Sequence, residues 1–214
     1  VIISHELKFI FVHIYKTGGT SITNALQEYN KYEYNCHNFG ASQIKRHIEL
    51  RQYKEIGLDV NPNAWDEYFT FAFMRNPWCW LVSAYHYFQQ YRRPITGIVK
   101  ALTFHDFVHW FCCDTQYRNL DKPQQSYLNN MRRPLTSLIT ENGKVIVDFV
   151  GRYERLQSDF DDICDTIGIP RRTLGRHAAS KHVHYTTYYN EETIPMVGSH
   201  FKPDIDLLGY TYAD

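Results

Sequence analysis

The 214-residue chain has no excess of either charge: Lys plus Arg and Asp plus Glu number 23 each, and the formal net charge at pH 7 is zero. A whole-surface attraction to nucleic acid or anionic lipid is therefore not supported, and any anion site has to be built locally. Long apolar runs are missing too. None approaches the roughly 20 residues that cross a bilayer, and the opening Val1-Ile2-Ile3 gives way at once to His5, Glu6 and Lys8. No membrane span is expected in these residues, although a chain that opens on Val1 rather than Met says nothing of a leader upstream. Cysteine supplies no scaffold: of the five, Cys112 and Cys113 are adjacent, where a bridge would be strained, and Cys36, Cys79 and Cys164 lack the paired spacing of a zinc site. That usage fits a reducing compartment, with the cytoplasm as the first reading and a trimmed Golgi-lumenal domain as the alternative. Internal repeats and low-complexity segments are likewise absent. What is present, 43% apolar and 16% aromatic residues, is enough for one sizeable core and a single domain over residues 1–214.

Two strand-loop-helix units stand out. Lys8 to Ile14 is a short β-branched and aromatic run, followed by a Lys16-Thr17-Gly18-Gly19 turn and then by Ile22, Ala25, Leu26 and Tyr29 at helical spacing. Phe69 to Met74 reads as a second strand, Arg75-Asn76-Pro77 as its turn, and about Pro77 to Tyr91 as a helix, with Pro77 suited to a first helical turn. Between them Ala41 to Ile56 reads as an amphipathic helix and Val60 to Trp65 as a loop. Further on, the pattern predicts a helix over Thr103–Cys113, polar connecting chain over Arg118–Gln124, and a buried strand over Val145–Val150. A helix over Glu154–Ile167 stopped by Gly168 follows, and a final helix over Glu191–Phe201 precedes Leu207-Leu208-Gly209-Tyr210. The succession predicts an α/β protein with a central, mostly parallel sheet flanked by helices.

The most informative stretch runs from Phe11 to Ser21, where a strand delivers Lys16, Gly18 and Gly19 to a helix N-terminus. Glycines let backbone N–H groups approach an anion, the helix dipole favours negative charge, and hydroxyls on Thr17, Thr20 and Ser21 can donate to its oxygens. A plain strand-to-helix turn that needs Gly for its backbone angles is the alternative. The Walker order is absent, because Lys16 precedes both glycines instead of following the last one. In the second unit Arg75 offers a forked, charged donor at a strand end, and Ser83, about two turns into the helix, can share the same anion. Local carbonyl contacts for Arg75 and helix packing for Ser83 are the competing reading.

Together these segments resemble the nucleotide-binding signatures of sulfotransferases that use 3′-phosphoadenosine 5′-phosphosulfate (PAPS), in particular the carbohydrate-type branch. The matching residues are His13 to Ser21 and Arg75 to Tyr85, with Phe149 to Phe160 similar to that family's later strand-to-helix segment. The resemblance implies a P-loop, nucleotide-kinase-like α/β fold and a 5′-phosphosulfate on Lys16, Thr17, Gly18, Gly19, Thr20 and Ser21. It also implies a 3′-phosphate on Arg75 and Ser83, and Tyr153 near the adenine. Ser180 and Lys181, in a tail segment similar to the family's, are expected on the 3′-phosphate side. The chain departs from the family pattern in three places: Tyr15 stands where Pro is usual, Cys79-Trp80 where Asp-Arg is common, and Ala179 in place of Asn.

Sulfuryl transfer needs an acceptor hydroxyl in line with sulfur while charge builds on the departing phosphate oxygen. Lys16 suits that charge, and no metal is required, the sequence showing no acidic cluster of the kind that holds magnesium. Among 11 His, His37 is the first choice as general base, His47 the second, and His13 is expected to be structural. The product would be adenosine 3′,5′-bisphosphate (PAP), and the acceptor a hydroxyl on a saccharide or polysaccharide. Arginine pairs at 92–93, 132–133 and 171–172 suit an acidic glycan or, more simply, a solvated surface; the tryptophans suit sugars or the core. An ATP-dependent P-loop phosphotransferase, and a nucleotide- or glycan-binding member of the fold without turnover, are the alternatives.

Overall fold

The computed structural model describes residues 2–29, 61, 63–113, 119–175 and 183–213. The first half contains strands β1 (Ile2–Ser4) and β2 (Phe9–Val12), helices α1 (Gly19–Leu26) and α2 (Ala64–Glu67), and strand β3 (Phe69–Met74). Helices α3 (Pro77–Gln90), α4 (Thr96–Lys100), α5 (Phe104–Cys112) and α6 (Lys122–Arg132) follow. The remainder comprises β4 (Thr140–Glu141), β5 (Lys144–Val145), β6 (Phe149–Arg152), α7 (Leu156–Ile167), α8 (Thr193–His200) and α9 (Lys202–Leu208). Two compact units result, one from residues 1–74 and 138–178, the other from 75–137 and 179–214.

The first unit is built on a four-stranded sheet ordered β1-β2-β3-β6. β2 pairs in parallel with β3 (Phe9 with Phe69 through Val12 with Ala72), and β3 in parallel with β6 (Phe71 with Phe149 through Met74 with Arg152). Among the described strands of this sheet only β1 runs antiparallel, Ile2 facing Phe11. Residues of both parities in β2 and β3 are buried, which is why these strands read as continuous apolar runs and not as an alternation. Phe9, Phe11, Phe71 and Phe73 on one face meet Ile22 and Leu26 of α1 and Phe160, Ile163, Cys164 and Ile167 of α7. The α7 set recurs at the three- and four-residue spacing of one helix face. Each fully buried phenyl ring contributes about 1.5–3 kcal/mol, so this layer is the main source of the unit's stability. Gly168, at φ 75, ends α7 in the left-handed conformation, as the sequence predicts.

The second unit is helical. Asn76 caps α3 by accepting from the N–H groups of Trp78 and Cys79 (3.0 and 3.4 Å), with Pro77 in the first turn. Thr103 caps α5, whose Phe104, Phe107, Val108 and Phe111 are buried. Asp204 on α9 is completely buried and accepts from Leu135 and Thr136 N–H at 2.9 and 2.8 Å, capping the 3-10 turn Leu135–Leu138. Burial pushes its carboxyl pKa above the usual aspartate range against the pull of those two N–H groups. With the folded value above the unfolded one, this site's contribution to stability falls as pH rises through the raised pKa. Asp204→Ala leaves two buried donors unpaired and is expected to cost about 1–3 kcal/mol, measured by urea denaturation. An unchanged midpoint would mean that water replaces the carboxylate.

Strand β3 coincides with the sequence-predicted strand, and α1, α3, α5 and α7 agree with prediction to within a few residues. Other segments differ, among them the loop expected at Val60–Trp65, where α2 begins at Ala64. The strand expected at Val145–Val150 is displaced to β6, because Lys144-Val145 pairs back on Thr140-Glu141 around Asn142 (φ 52) and Gly143 (φ 76), the left-handed pair of a tight hairpin. Asp148 then accepts from Thr70 N and Oγ1 at 2.7 and 2.8 Å and fixes the start of β3. The connecting chain expected through Gln124 turns helical at Lys122, where Asp121 and Gln124 form a capping box. A second helix, α9, follows the one expected to be last, with Pro203 in its opening turn. The expected helix at 41–56 lies outside the described residues.

Candidate functional site

The loop between β2 and α1 is shaped by two left-handed residues, Lys16 at φ 63 and Gly18 at φ 86, separated by Thr17 and followed by helical Gly19. Alternation of hand along consecutive residues turns successive backbone N–H groups toward one side, the geometry of an anion-binding nest. Glycine carries the second left-handed position without cost; Lys16 carries the first at a penalty of roughly 1 kcal/mol or more. The first turn of α1 receives no side-chain cap, so its N–H groups, with the helix dipole behind them, suit an external anion.

Burial separates the loop residues into two sets. Lys16, Gly18 and Thr20 are half-buried on the open side, whereas Thr17, Gly19 and Ser21 are buried. Thr17 Oγ1 donates to Ile14 O at 3.0 Å and Ser21 Oγ to Gly175 O at 2.7 Å. Two of the three hydroxyls suggested as anion donors thus hold the loop to its surroundings in this structure, and Thr20 is the hydroxyl on the open side. Gly19 is required by a close approach, since a Cβ there would lie 2.2 Å from the His13 ring. That ring stacks on Phe11 at 5.6 Å and its Nδ1 is 3.4 Å from Thr23 Oγ1. His13 is buried packing, as expected from the sequence. Gly18 meets the β6–α7 corner: a Cβ would be 2.8 Å from Leu156 Cδ2 and 3.3 Å from Tyr153 Cδ2. Residues far apart in sequence, the glycine loop and Tyr153, are therefore brought together within the first unit.

Arg75 and Ser83 belong to the second unit, and both are buried. The Arg75 guanidinium points Nε and Nη2 at Cys79 Sγ, 3.3 and 3.1 Å away. Sulfur is a weak acceptor, and this contact orients the fork. Trp80, the other departure from the family pattern in α3, packs between Phe111 and Phe201 with ring centroids at 6.2 and 5.5 Å. It is core, as are buried Trp78 and Trp110. Five of the six paired arginines have local partners: Arg93 donates to Tyr87 Oη, Arg132 to Cys112 O and Arg133 to Asn130 Oδ1, while Arg171 pairs with Asp165 and Arg172 with Glu28. Cys79, Cys112, Cys113 and Cys164 are free thiols, and burial pushes the Cys112 pKa up to about 12. His37, His47, Ser180 and Lys181 lie outside the described residues. A cavity of about 510 Å³ lined by Trp65, Tyr68, Thr70 and Asp148 opens at the N-terminal end of β3. Ligands of open α/β sheets bind at the opposite, C-terminal ends of the strands, where the Lys16 loop stands.

A family model described as the sulfotransferase family matches residues 1–211, and so takes in the Lys16 loop, Arg75, Ser83 and Tyr153. The chain belongs to the sulfotransferase family. An uncharacterized protein of Archaeoglobus fulgidus is 34% identical to this chain over 113 residues, covering 52% of this chain and 77% of that protein. No solved structure matches the chain. Its architecture is a mixed α/β one, with a sheet of mostly parallel strands flanked by helices. Among its described residues no helix is long and apolar enough to cross a membrane.

Proposed function

We propose that this member of the sulfotransferase family moves a sulfuryl group from PAPS to a hydroxyl of a saccharide, on a P-loop-like fold. The observation that carries the reading is the loop in which left-handed Lys16 and Gly18 alternate with their neighbours ahead of an uncapped helix N-terminus. Its N–H groups and Thr20 suit the 5′-phosphosulfate, with Gly19, Thr17 and Ser21 fixing the loop that presents them. As sulfur passes to the acceptor, the S–O bond to the 5′-phosphate breaks and negative charge grows on the departing oxygen. A half-buried ammonium beside that oxygen acts most strongly in the transition state, which is the role assigned to Lys16. Arg75, already oriented by Cys79, and Ser83 are assigned to the 3′-phosphate, and Tyr153 to the adenine. His37 is assigned as the base that takes the acceptor proton, and Ser180 and Lys181 to the 3′-phosphate side, on sequence grounds.

Calorimetric titration with PAP and with adenosine 5′-monophosphate, for wild type and Arg75→Ala without magnesium, tests the donor assignment. Removing one partner of a buried, charge-assisted contact costs about 2–5 kcal/mol, so PAP affinity is expected to fall by roughly 30-fold or more. The monophosphate, which lacks the 3′-phosphate, should bind both proteins alike. Equal loss for both nucleotides would remove Arg75 from the 3′ position. Wild type that ignores PAP but binds ATP with magnesium would sink the sulfotransferase reaction in favour of phosphoryl transfer. Tight PAP binding with no transfer to any hydroxyl acceptor would identify a binding protein on the same fold.

A further inference from the structure

His105 and His109 lie four residues apart on α5, one turn apart on the same face, with ring centroids 4.6 Å from each other. Glu192, immediately before α8, places one carboxylate oxygen against each ring. Its Oε2 is 3.1 Å from His105 Nε2 and its Oε1 is 3.2 Å from His109 Nε2. The ligand-type atoms of the three residues all lie within 4.8 Å of one another. Ligands held about 2.0–2.2 Å from a transition ion stand roughly 3.0–3.6 Å apart across octahedral or tetrahedral angles, and both nitrogen-to-oxygen separations fall in that interval.

One further observation distinguishes this cluster from a surface ion pair. His109 Nε2 is shielded from solvent and makes no hydrogen bond, although the Glu192 oxygen is only 3.2 Å away. On the other side of the His105 ring, Asp106 Oδ1 stands 3.8 Å from Nδ1 and adds a second carboxylate beside the cluster.

We propose that His105, His109 and Glu192 form a binding site for a borderline divalent transition ion, zinc first, with water completing the coordination and the ion tying α5 to the start of α8. Two imidazoles and one carboxylate select such ions over magnesium and calcium, which prefer all-oxygen sets. The site is independent of the sulfuryl-transfer reading. It is accessible, the three side chains being 35–59% exposed, and its effect is structural, since it closes the segment between the two helices into a loop clamped at its ends.

The test is zinc titration of the chelator-stripped full chain by calorimetry, with thermal unfolding and cobalt absorbance as second and third readings, for wild type, Glu192→Gln and His105→Gln. One equivalent of zinc should bind wild type at micromolar concentration or below. At a hundredfold excess over Kd it should raise Tm by about 5–10 °C, and cobalt should give the visible bands of a nitrogen- and oxygen-ligated ion. Both variants should lose the equivalent, the Tm shift and the bands while keeping the wild-type far-UV spectrum. His105 is the more exposed imidazole, so its variant carries the test if the Glu192 variant fails to fold. Absence of stoichiometric binding to wild type, or binding unchanged in the folded variants, would overturn the proposal.

Discussion

Lys16→Met is expected to lower kcat for sulfuryl transfer about 10²–10³-fold, the usual consequence of removing a preorganised group from a developing oxyanion. Methionine preserves length and stem packing, and at φ 63 it meets the same backbone penalty as lysine, so the variant removes the ammonium and little else. The split between parameters is the discriminating part. A charge that acts on the departing oxygen is lost from kcat and kcat/KM together, whereas a charge that merely attracts the nucleotide is lost chiefly from KM. Steady-state rates at saturating PAPS, with PAP affinity measured separately by calorimetry, separate the two. A kcat within a few-fold of wild type would remove Lys16 from the reacting centre and leave it as a donor-binding residue.

Gly19→Ala is expected to be the most damaging single-methyl change in the loop. The added Cβ would lie 2.2 Å from two atoms of the His13 imidazole, and that ring is held by Phe11 on its face and Thr23 at Nδ1. Neither partner yields easily: Phe11 belongs to the central core cluster, and Gly19 is the first residue of α1. Overpacking of this kind costs about 1–3 kcal/mol, a Tm fall of about 2–12 °C for a chain of this size. It should also weaken PAP binding, because the turn that carries the loop N–H groups has to shift. Truncating the ring tests the cause directly. His13→Ala in the Gly19→Ala background should recover part of the loss, giving a coupling energy of at least about 0.5 kcal/mol in the double-mutant cycle. Additive losses would mean that the glycine is needed for its backbone angles alone.

The contrast between Gly18 and Gly19 shows what a sequence can and cannot say about a loop. Both read alike as residues that permit a turn beside an anion. The left-handed angle belongs to Gly18, and Gly19 is there because a histidine six residues earlier occupies the space of its side chain. Thr17 and Ser21 likewise read as anion donors because hydroxyls near a glycine loop can be, yet Ser21 Oγ is engaged with Gly175, 154 residues away. No local pattern announces a partner at that distance. Trp80 raised the question of acceptor choice or packing by its place in the motif, and its contacts with Phe111 and Phe201 answer for packing.

Helices with a strong apolar period and strands that are continuous apolar runs were legible: α5 and α7 bury one apolar face, and β2 and β3 are buried on both. Helix α6 was not, because it is polar around most of its surface, with only Leu128 and Arg132 buried. Its signal was the Asp121–Gln124 capping box. The hairpin at Asn142-Gly143 hid the true start of β6 in the same way, through turn chemistry that an apolar run overshadows. His105 and His109 lie one helical turn apart, but Glu192, which meets both, is more than eighty residues on, so no local pattern joins the three.

The sequence by itself determined the order of strand, glycine loop and helix, the glycine that stops α7, the charged residues at two strand ends and the family to which they belong. These are properties of adjacent residues, set by backbone sterics, side-chain chemistry and the alternation of buried and exposed positions. Only the tertiary structure decided which hydroxyls face outward, that Tyr153 and Leu156 press on Gly18, that Cys79 orients Arg75, and that Glu192 meets two histidines. Each of those outcomes rests on contacts between segments brought together by burial of the core, whose positions no short stretch of chain encodes.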